Sequence, residues 1–392
     1  MDRRQKFTAL ANAAQFDLAC ACGGGASAFA RRRGLDENWI YPAALPGGGV
    51  APMLKVLTSS ACERDCAYCS LRAGHDCQRY TFGADELAAI FDQLYRQRRI
   101  RGAFLSSAVT KNPVSAMDRI LATAELLRQR YRFYGYLHLK VIPGAQRSQV
   151  ERAVQLATRV SVNLEVPSAR HLAALSSRKD FERDLLTPLR WIAELIDPAA
   201  RRARTSPGQP LRGARSQTTQ FVVGATDDTD REIIGRASQL YRELGLARAY
   251  YSKFAPRPGT PLAERPPTPF MREHRLYQSD FLLRSYGFSV DEIPFAADGS
   301  LALDQDPKQR WAALHPERFP IEVNRAPAGE LLRVPGIGPK SVERIVQTRR
   351  QGQLHSLEEL AELGVATRRA APFVLIAGRR AAAAQLAFKW AV

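Results

Sequence analysis

No apolar stretch in the 392 residues is long enough to cross a membrane as a helix. The opening Met1-Asp-Arg-Arg-Gln-Lys-Phe has paired arginines but lacks the unbroken apolar segment of an export signal, because Gln15 and Asp17 interrupt it. That segment reads instead as an amphipathic helix of a cytoplasmic protein. Cysteine is scarce, with six residues. No second C-x2-4-C or H-x3-5-H pair accompanies the compact cysteine group, which argues against a closed four-ligand zinc site. Acidic residues are in deficit, 39 against 57 Lys and Arg, for a formal net charge of +18. Such an excess points to a polyanionic partner, although a GC-rich genome would enrich arginine for unrelated reasons. Gly23-Gly-Gly25 has no strand before it and is not a phosphate loop.

What stands out against this background is Ala61-Cys-Glu-Arg-Asp-Cys-Ala-Tyr-Cys-Ser70, which spaces Cys62, Cys66 and Cys69 as C-x3-C-x2-C. Three thiolates on one short loop can each hold one iron of a cubane, which leaves the fourth iron open to a small molecule. The loop follows a short apolar run, Met53 to Thr58, expected as a buried strand. It precedes Thr81 to Arg96, expected as a helix, with Asp85 and Glu86 in its first turn and Leu87, Ile90, Phe91 and Leu94 at helical spacing. Cys20, Cys22 and Cys77 show no compact spacing and read as isolated thiols in a reducing cytosol.

Further strands are expected over 102–107, 136–142, 159–166, 218–223 and 248–254, with helices between them over 117–130, 148–157, 187–195 and 230–244. The Arg-, Pro- and Gly-rich stretch 197–215 reads as a loop. Six strand-helix units imply an α/β fold with its chemistry at the C-terminal ends of the strands.

In this strand-loop-helix setting the cysteine motif resembles that of the radical S-adenosylmethionine (radical SAM) superfamily. The resemblance implies an open (β/α)6 partial TIM barrel, a [4Fe-4S] cluster on Cys62, Cys66 and Cys69, and S-adenosylmethionine chelated by the open iron. It also implies cofactor contacts. Tyr68 would frame the adenine, while Ser106 and Ser107 stand where the superfamily often has Gly-Gly-Glu, here without the acid. Asn163 and Glu165 would serve the ribose or methionine, though Glu165 is equally compatible with pairing to a barrel arginine. Gly224 and Tyr251 fall in segments resembling those that flank the cofactor on the fifth and sixth strands. His138 and Lys140 share a strand face and are expected toward the cavity, although a lone histidine is more often a satisfied core residue.

Near the other end, Leu331-Leu-Arg-Val-Pro-Gly-Ile-Gly-Pro-Lys-Ser-Val-Glu-Arg-Ile-Val346 resembles a helix-hairpin-helix DNA-binding motif. Gly336 and Gly338 allow a tight turn with close backbone approach, and Ile337 plugs the hairpin. Pro339 opens a helix whose free N–H groups form an anion site, with Lys340, Ser341 and Arg344 beside it. A phosphate ligand there makes binding salt-sensitive and largely independent of sequence. A degenerate second copy follows, with helices expected over 356–363 and 367–377 around Gly364-Val365.

The domains expected are a helical extension over 1–50, the barrel over 51–290, a connecting segment over 291–320 and an all-α helix-hairpin-helix domain over 321–392. Nearly the whole chain is similar to a narrower group, radical SAM proteins grouped with DNA modification or repair and linked to a uracil-DNA-glycosylase-like partner. The strings that carry this include Tyr136-Leu-His-Leu-Lys-Val-Ile-Pro-Gly144, Ser161-Val-Asn-Leu-Glu165, Gln217-Thr-Thr-Gln220 and His274-Arg-Leu-Tyr-Gln278. The expectation is a radical enzyme on DNA, supplied with electrons by a donor such as flavodoxin or ferredoxin. The alternatives are a radical SAM enzyme on tRNA or other RNA, and a non-enzymatic iron-sulfur scaffold on DNA.

Overall fold

The computed structural model describes residues 3–14, 40–44, 50–196 and 213–380. Cys20, Cys22 and most of the Arg-rich stretch lie outside them. The chain divides into two compact units, one of residues 1–228 and 235–273, the other of residues 229–234 and 274–392. Residues 274–320 therefore group with the C-terminal unit.

The first unit is built on a seven-stranded sheet. After α1 (Arg3–Ala13), β1 (Ile40–Ala44) pairs antiparallel with β2 (Val50–Leu57). From β2 the sheet runs parallel and in sequence order through β3 (Gly102–Ser106), β4 (Tyr136–Lys140), β5 (Arg159–Ser161), β6 (Gln217–Val223) and β7 (Arg248–Lys253). The connecting helices include α2 (Ala84–Arg96), α3 (Pro113–Gln129), α4 (Arg147–Leu156), α5 (Ala169–Leu175), α6 (Thr187–Leu195) and α7 (Asp230–Leu244). β3 and β6 are buried along their full lengths, as expected of parallel strands covered on both faces. α2 buries Leu87, Ala88, Phe91 and Leu94 on one stripe. It begins three residues later than the spacing suggested, because Thr81 bridges to Ser59 and Gly83 is the N-cap.

Two local departures bear on function. β5 ends at Ser161 rather than Val166; beyond it only Glu165 bridges, to Phe221, and it does so in a left-handed conformation at φ 67°. A π-helix, Phe181–Leu186, precedes α6 and was not legible in the periodicity. Among the described residues no helix is long and apolar enough to cross a membrane.

In the second unit, α8 (Phe270–Tyr286, from His274 onward) and α9 (Pro307–Leu314) precede β8 (Ile321–Glu322). Four short helices follow: α10 (Ala328–Leu331), α11 (Pro339–Thr348), α12 (Leu357–Glu362) and α13 (Thr367–Ala370). Leu331, Val334, Ile337, Val342, Ile345, Leu360 and Val365 share one core. The last helix stops well short of residue 377, where a helix had been expected to continue. Pro372 has no N–H to carry it on, and the chain turns into β9 (Val374–Ile376), which joins β8 and β10 (Arg379–Arg380) in a small sheet. The unit is therefore not purely α-helical.

Candidate active site at the strand ends

The cysteine loop leaves β2 and is fixed at both ends. The Thr58 N–H donates to the Ser106 carbonyl at 2.7 Å, and Ser60 N–H to Tyr80 O at 2.9 Å. Inside it, the Arg79 guanidinium donates to the carbonyls of Ser60, Leu71, Arg72 and His75 at 2.6–3.0 Å and stitches the loop to its own return. The residues between the thiols hold it to the segment after α5. The Asp65 carboxylate accepts from Ser176 Oγ, from Ser177 N at 3.0 Å and from Ser177 Oγ at 2.6 Å. These bonds outweigh burial and hold its acid far below the usual range. Arg178 donates to Glu63 O at 2.6 Å, and Arg64 donates to Arg178 O and lies 4.0 Å from Asp184.

Cys62, Cys66 and Cys69 thus reach one cavity of about 450 Å3 at the C-terminal ends of the parallel strands. Tyr68, Ser107, Asn163 and Glu165 line the same cavity. Ser106, Gly224 and Tyr251 do not. Ser106 is fully buried, Gly224 N–H is spent on Asp228 at 3.1 Å and its carbonyl on Arg265 at 2.8 Å, and Tyr251 stacks on Phe221. Their near neighbours Ser107, Val222 and Ser252 occupy the lining instead. Of the pair on β4, Lys140 lines the cavity, while His138 is buried with Nε2 2.9 Å from Ser161 Oγ.

Sequence reasoning missed Lys179. Its ammonium hydrogen-bonds Cys66 and lies 3.8 Å from Glu165 Oε1, with side chains only 7% and 6% exposed. Burial opposes the ammonium's charge, but Cys66 and Glu165 more than offset this and raise its pKa. The Tyr68 phenol donates to Glu165 and is pushed well above its ordinary range by burial and then by the Glu165 charge. Tyr68, Glu165, Lys179 and Cys66 therefore form one connected polar set. The signal that could have found Lys179 is its place on the short loop after α5, within the connection that follows β5.

The donor set fits an iron-sulfur cluster. Among the described residues no three Cys, His, Asp or Glu side chains converge closely enough to chelate a single ion. In a cubane each thiolate takes its own iron, so wider spacing is required. Backbone N–H groups of Arg64 and Leu71 point at Cys62 and Cys69 sulfur, each at 3.4 Å. Burial, with Cys66 and then Cys62 adding to it, pushes the Cys69 thiol up to about 12. Metal charge reverses that penalty, so loading would release protons. Cys77 lies outside the lining, its thiol 3.5 Å from Ser70 O.

The second expected site lies in the C-terminal unit. Gly336 has φ 86°, Gly338 caps α11, and Pro339 stands at its first position. Lys340 and Arg344 are exposed at that end. Ile337 is buried in the core, as a plug. Ser341 is also buried, and its hydroxyl donates to Gly364 O at 2.8 Å. It ties the two glycine turns together rather than presenting itself to a phosphate. Buried Lys308, from α9, donates to Ile337 O at 2.6 Å and lies 4.6 Å over the Tyr286 ring.

No protein-family model matches the chain. Among solved structures it is similar to methylornithine synthase (PylB), with a TM-score of 0.46 and 12% identity over 58% of this chain and 60% of that one. It is also similar to the FeFe-hydrogenase maturase HydG from Carboxydothermus hydrogenoformans, at 0.43 and 12% over 58% and 50%. A third is the cobalamin-dependent S-adenosylmethionine radical enzyme OxsB, at 0.36 and 11% over 79% and 51%. The chain thus matches only about half to three fifths of their lengths. Likeness at this level does not assign a reaction, and the residues at the strand ends must do so.

Proposed function

We propose that this chain is a radical SAM enzyme acting on a nucleotide of DNA, in repair or modification. The observation that carries the reading is the convergence of Cys62, Cys66 and Cys69 with Tyr68, Asn163 and Glu165 on one cavity at the ends of six parallel strands. The three thiols would hold a [4Fe-4S] cluster. Asn163 and Glu165 would take the polar groups of S-adenosylmethionine, Ser107 would lie beside them, and Tyr68 would frame the adenine. When bound, this pair supplies reductive cleavage of the sulfonium and a 5'-deoxyadenosyl radical that abstracts hydrogen.

The protein's own contribution is positional. Asp65 and Arg64 lock the thiol loop, Lys179 holds Glu165 in place and donates to Cys66, and hydrogen bonds to the sulfurs tune the potential. For the DNA part, the support is the exposed N-terminus of α11 with Lys340 and Arg344 around the Gly336–Gly338 turn. A base within a duplex would have to be extruded to reach the cavity. An electron donor such as flavodoxin or ferredoxin, and a uracil-DNA-glycosylase-like protein, are the partners that go with this reading.

The test is anaerobic reconstitution with iron and sulfide, reduction, and quantification of 5'-deoxyadenosine with duplex DNA, RNA or neither. Cys66→Ala should abolish production, and duplex DNA should raise it several-fold. Stimulation by RNA in preference to DNA would move the substrate to RNA. No production from a loaded, reduced cluster would leave only the scaffold reading.

A further inference from the structure

The two loops that lead into β3 and β4, at the strand ends away from the cavity, carry a surface that neither the thiols nor the hairpin uses. The first runs Tyr95-Arg-Gln-Arg-Arg-Ile-Arg101 from the last turn of α2, and the second runs Arg130-Tyr-Arg-Phe-Tyr134 from the end of α3. No Asp or Glu occurs between positions 93 and 117 or between 126 and 150. Asp92 and Asp85 reach Arg96 and Arg130 from the body of α2, at 2.7 and 3.2 Å, and both arginine side chains stay largely exposed. Arg98, Arg101 and Arg132 are exposed as well, and no ion pair joins any of the three among the described residues.

The two loops are held together and held in shape. Phe133 packs edge-on against Tyr95 at 4.9 Å and against Phe91 at 4.7 Å, which joins the second loop to α2. Arg128 donates to the carbonyls of Leu156, Phe133 and Gly135 at 2.6–3.0 Å and so fixes the second loop, while the Arg101 N–H donates to Pro52 O at 2.7 Å and fixes the first. Within this frame Arg98 and Arg132 adopt φ 58° and 48°, where glycine is at ease and a residue with a Cβ is strained. A turn that only had to reverse the chain would be cheaper with glycine at both places. Beside them the Tyr134 and Tyr95 rings are 50% and 41% exposed.

Exposed guanidinium forks match phosphate oxygens, and exposed aromatic faces take the bases of an unpaired strand. An acidic protein surface would engage the arginines but has no use for two tyrosine rings among them. We infer that this face is a second nucleic-acid contact, on which a single strand of DNA lays its phosphates against Arg98, Arg101 and Arg132 and stacks bases on Tyr95 and Tyr134. Arg101 precedes β3 and Ser107, at the cavity, follows it, roughly 20 Å apart at about 3.3 Å per residue. A base stacked here is therefore not the one that enters the cavity. The contact goes beyond the proposed reaction and needs neither the cluster nor the hairpin.

Arginine-directed labelling of the full chain with phenylglyoxal, read residue by residue by mass spectrometry, tests it locally and on the unaltered protein. A short oligodeoxythymidylate should slow labelling of Arg98, Arg101 and Arg132 at least several-fold, and polyglutamate of equal charge should not. Arg98→Gly with Arg132→Gly removes two phosphate contacts where glycine relieves strain. The melting temperature should therefore hold or rise, while the slope of log affinity against log salt for the oligonucleotide becomes shallower by about 1.4. Tyr134→Ser should weaken binding about fivefold or more, and Tyr134→Phe should retain it. No protection, equal protection by polyglutamate, better protection by duplex than by single strand, or an unchanged salt slope in the double variant would each overturn the inference. Better protection by an oligouridylate than by the deoxy strand would overturn its assignment to DNA. The radical reading fails separately, through absence of 5'-deoxyadenosine.

Discussion

Three glycines of the C-terminal unit separate what a hairpin requires from what it merely tolerates. Gly336 has φ 86°, and a Cβ there would lie 2.5 Å from the Ala366 carbonyl oxygen, 3.1 Å from Arg369 Cβ and 3.2 Å from Ala370 N. Two of those atoms are backbone, and the Ala366 N–H already donates to Gly336 O at 2.9 Å, so the turns cannot part cheaply. Left-handed backbone costs an alanine about 1–2 kcal/mol, and forced overpacking adds about 1–3 kcal/mol. Gly336→Ala should therefore lose about 2–5 kcal/mol in all. Gly364, at φ 84°, would meet only Arg344 Nη1 at 3.2 Å and Ser341 Oγ at 3.5 Å. The arginine end can move, so Gly364→Ala should cost only the backbone share, about 1–2 kcal/mol. Gly329 lies inside α10 with nothing within 4 Å, and Gly329→Ala should stabilise by about 0.4–1 kcal/mol. Hydrogen exchange of the 340–348 amides in the full chain reads these as changes in protection. The expected losses are roughly thirtyfold to a few thousandfold for Gly336→Ala, about five- to thirtyfold for Gly364→Ala, and a slight gain for Gly329→Ala. Equal losses at 336 and 364, or the reverse order, would refute the claim that the first turn closes on the second.

Two pH dependences follow from buried bases. Burial, with Arg369 and Arg333 partly countered by Asp306, lowers Lys308 from 10.5 to about 7. Between those values the unfolded chain binds a proton that the folded one does not. Stability should thus rise from pH 7 toward pH 10 by at most about 1.4 kcal/mol per unit. Urea titrations read by Trp311, with the other tryptophans changed to phenylalanine, should show the rise, and Lys308→Met should flatten it. His138 is likewise held neutral, so stability should fall as pH drops below 6.5, again by at most about 1.4 kcal/mol per unit. His138→Gln should remove that part of the acid limb in thermal melts, and an unchanged limb would exclude His138 as its source.

How much of this was legible in the sequence depended on whether the information is local. The cysteine spacing, the Pro-Gly-Ile-Gly-Pro-Lys turn and the apolar runs of the parallel strands each lie within a few residues, and the structure has elements close to where they were expected. Asp65 reaches Ser177 across 112 positions, and Glu165 meets Lys179 because the short helix α5 between them turns the chain back. No periodicity encodes such contacts. Ser107 lines the cavity as expected, whereas Ser106, Gly224 and Tyr251 lie one or two residues from positions that line it. The lining runs consecutively over 107–109 and 252–255, where the chain leaves the sheet and strand alternation no longer says which residue faces the cavity. Pro372, by contrast, was readable as the stop of the last helix, since it removes a donor and restrains the residue before it.

The cation-rich lining is the feature that simple packing cannot explain. Barrel interiors are ordinarily filled with branched apolar side chains, which pack densely and bring no desolvation cost. Here β2 and β4 instead place Lys55 and Lys140 toward the cavity, with Phe104 between Lys55 and His138 in one row across the sheet. Burying an ammonium costs free energy that its partners must offset, and a chain keeps such groups where they are used. Glu165 carries the same logic in its backbone: it is held at φ 67°, where a non-glycine residue is strained, with its carboxylate between Tyr68 and Lys179. Backbone strain at Glu165 therefore falls on the cavity that also receives the three thiols. That coincidence, rather than the motif alone, is what assigns the chemistry to the strand ends.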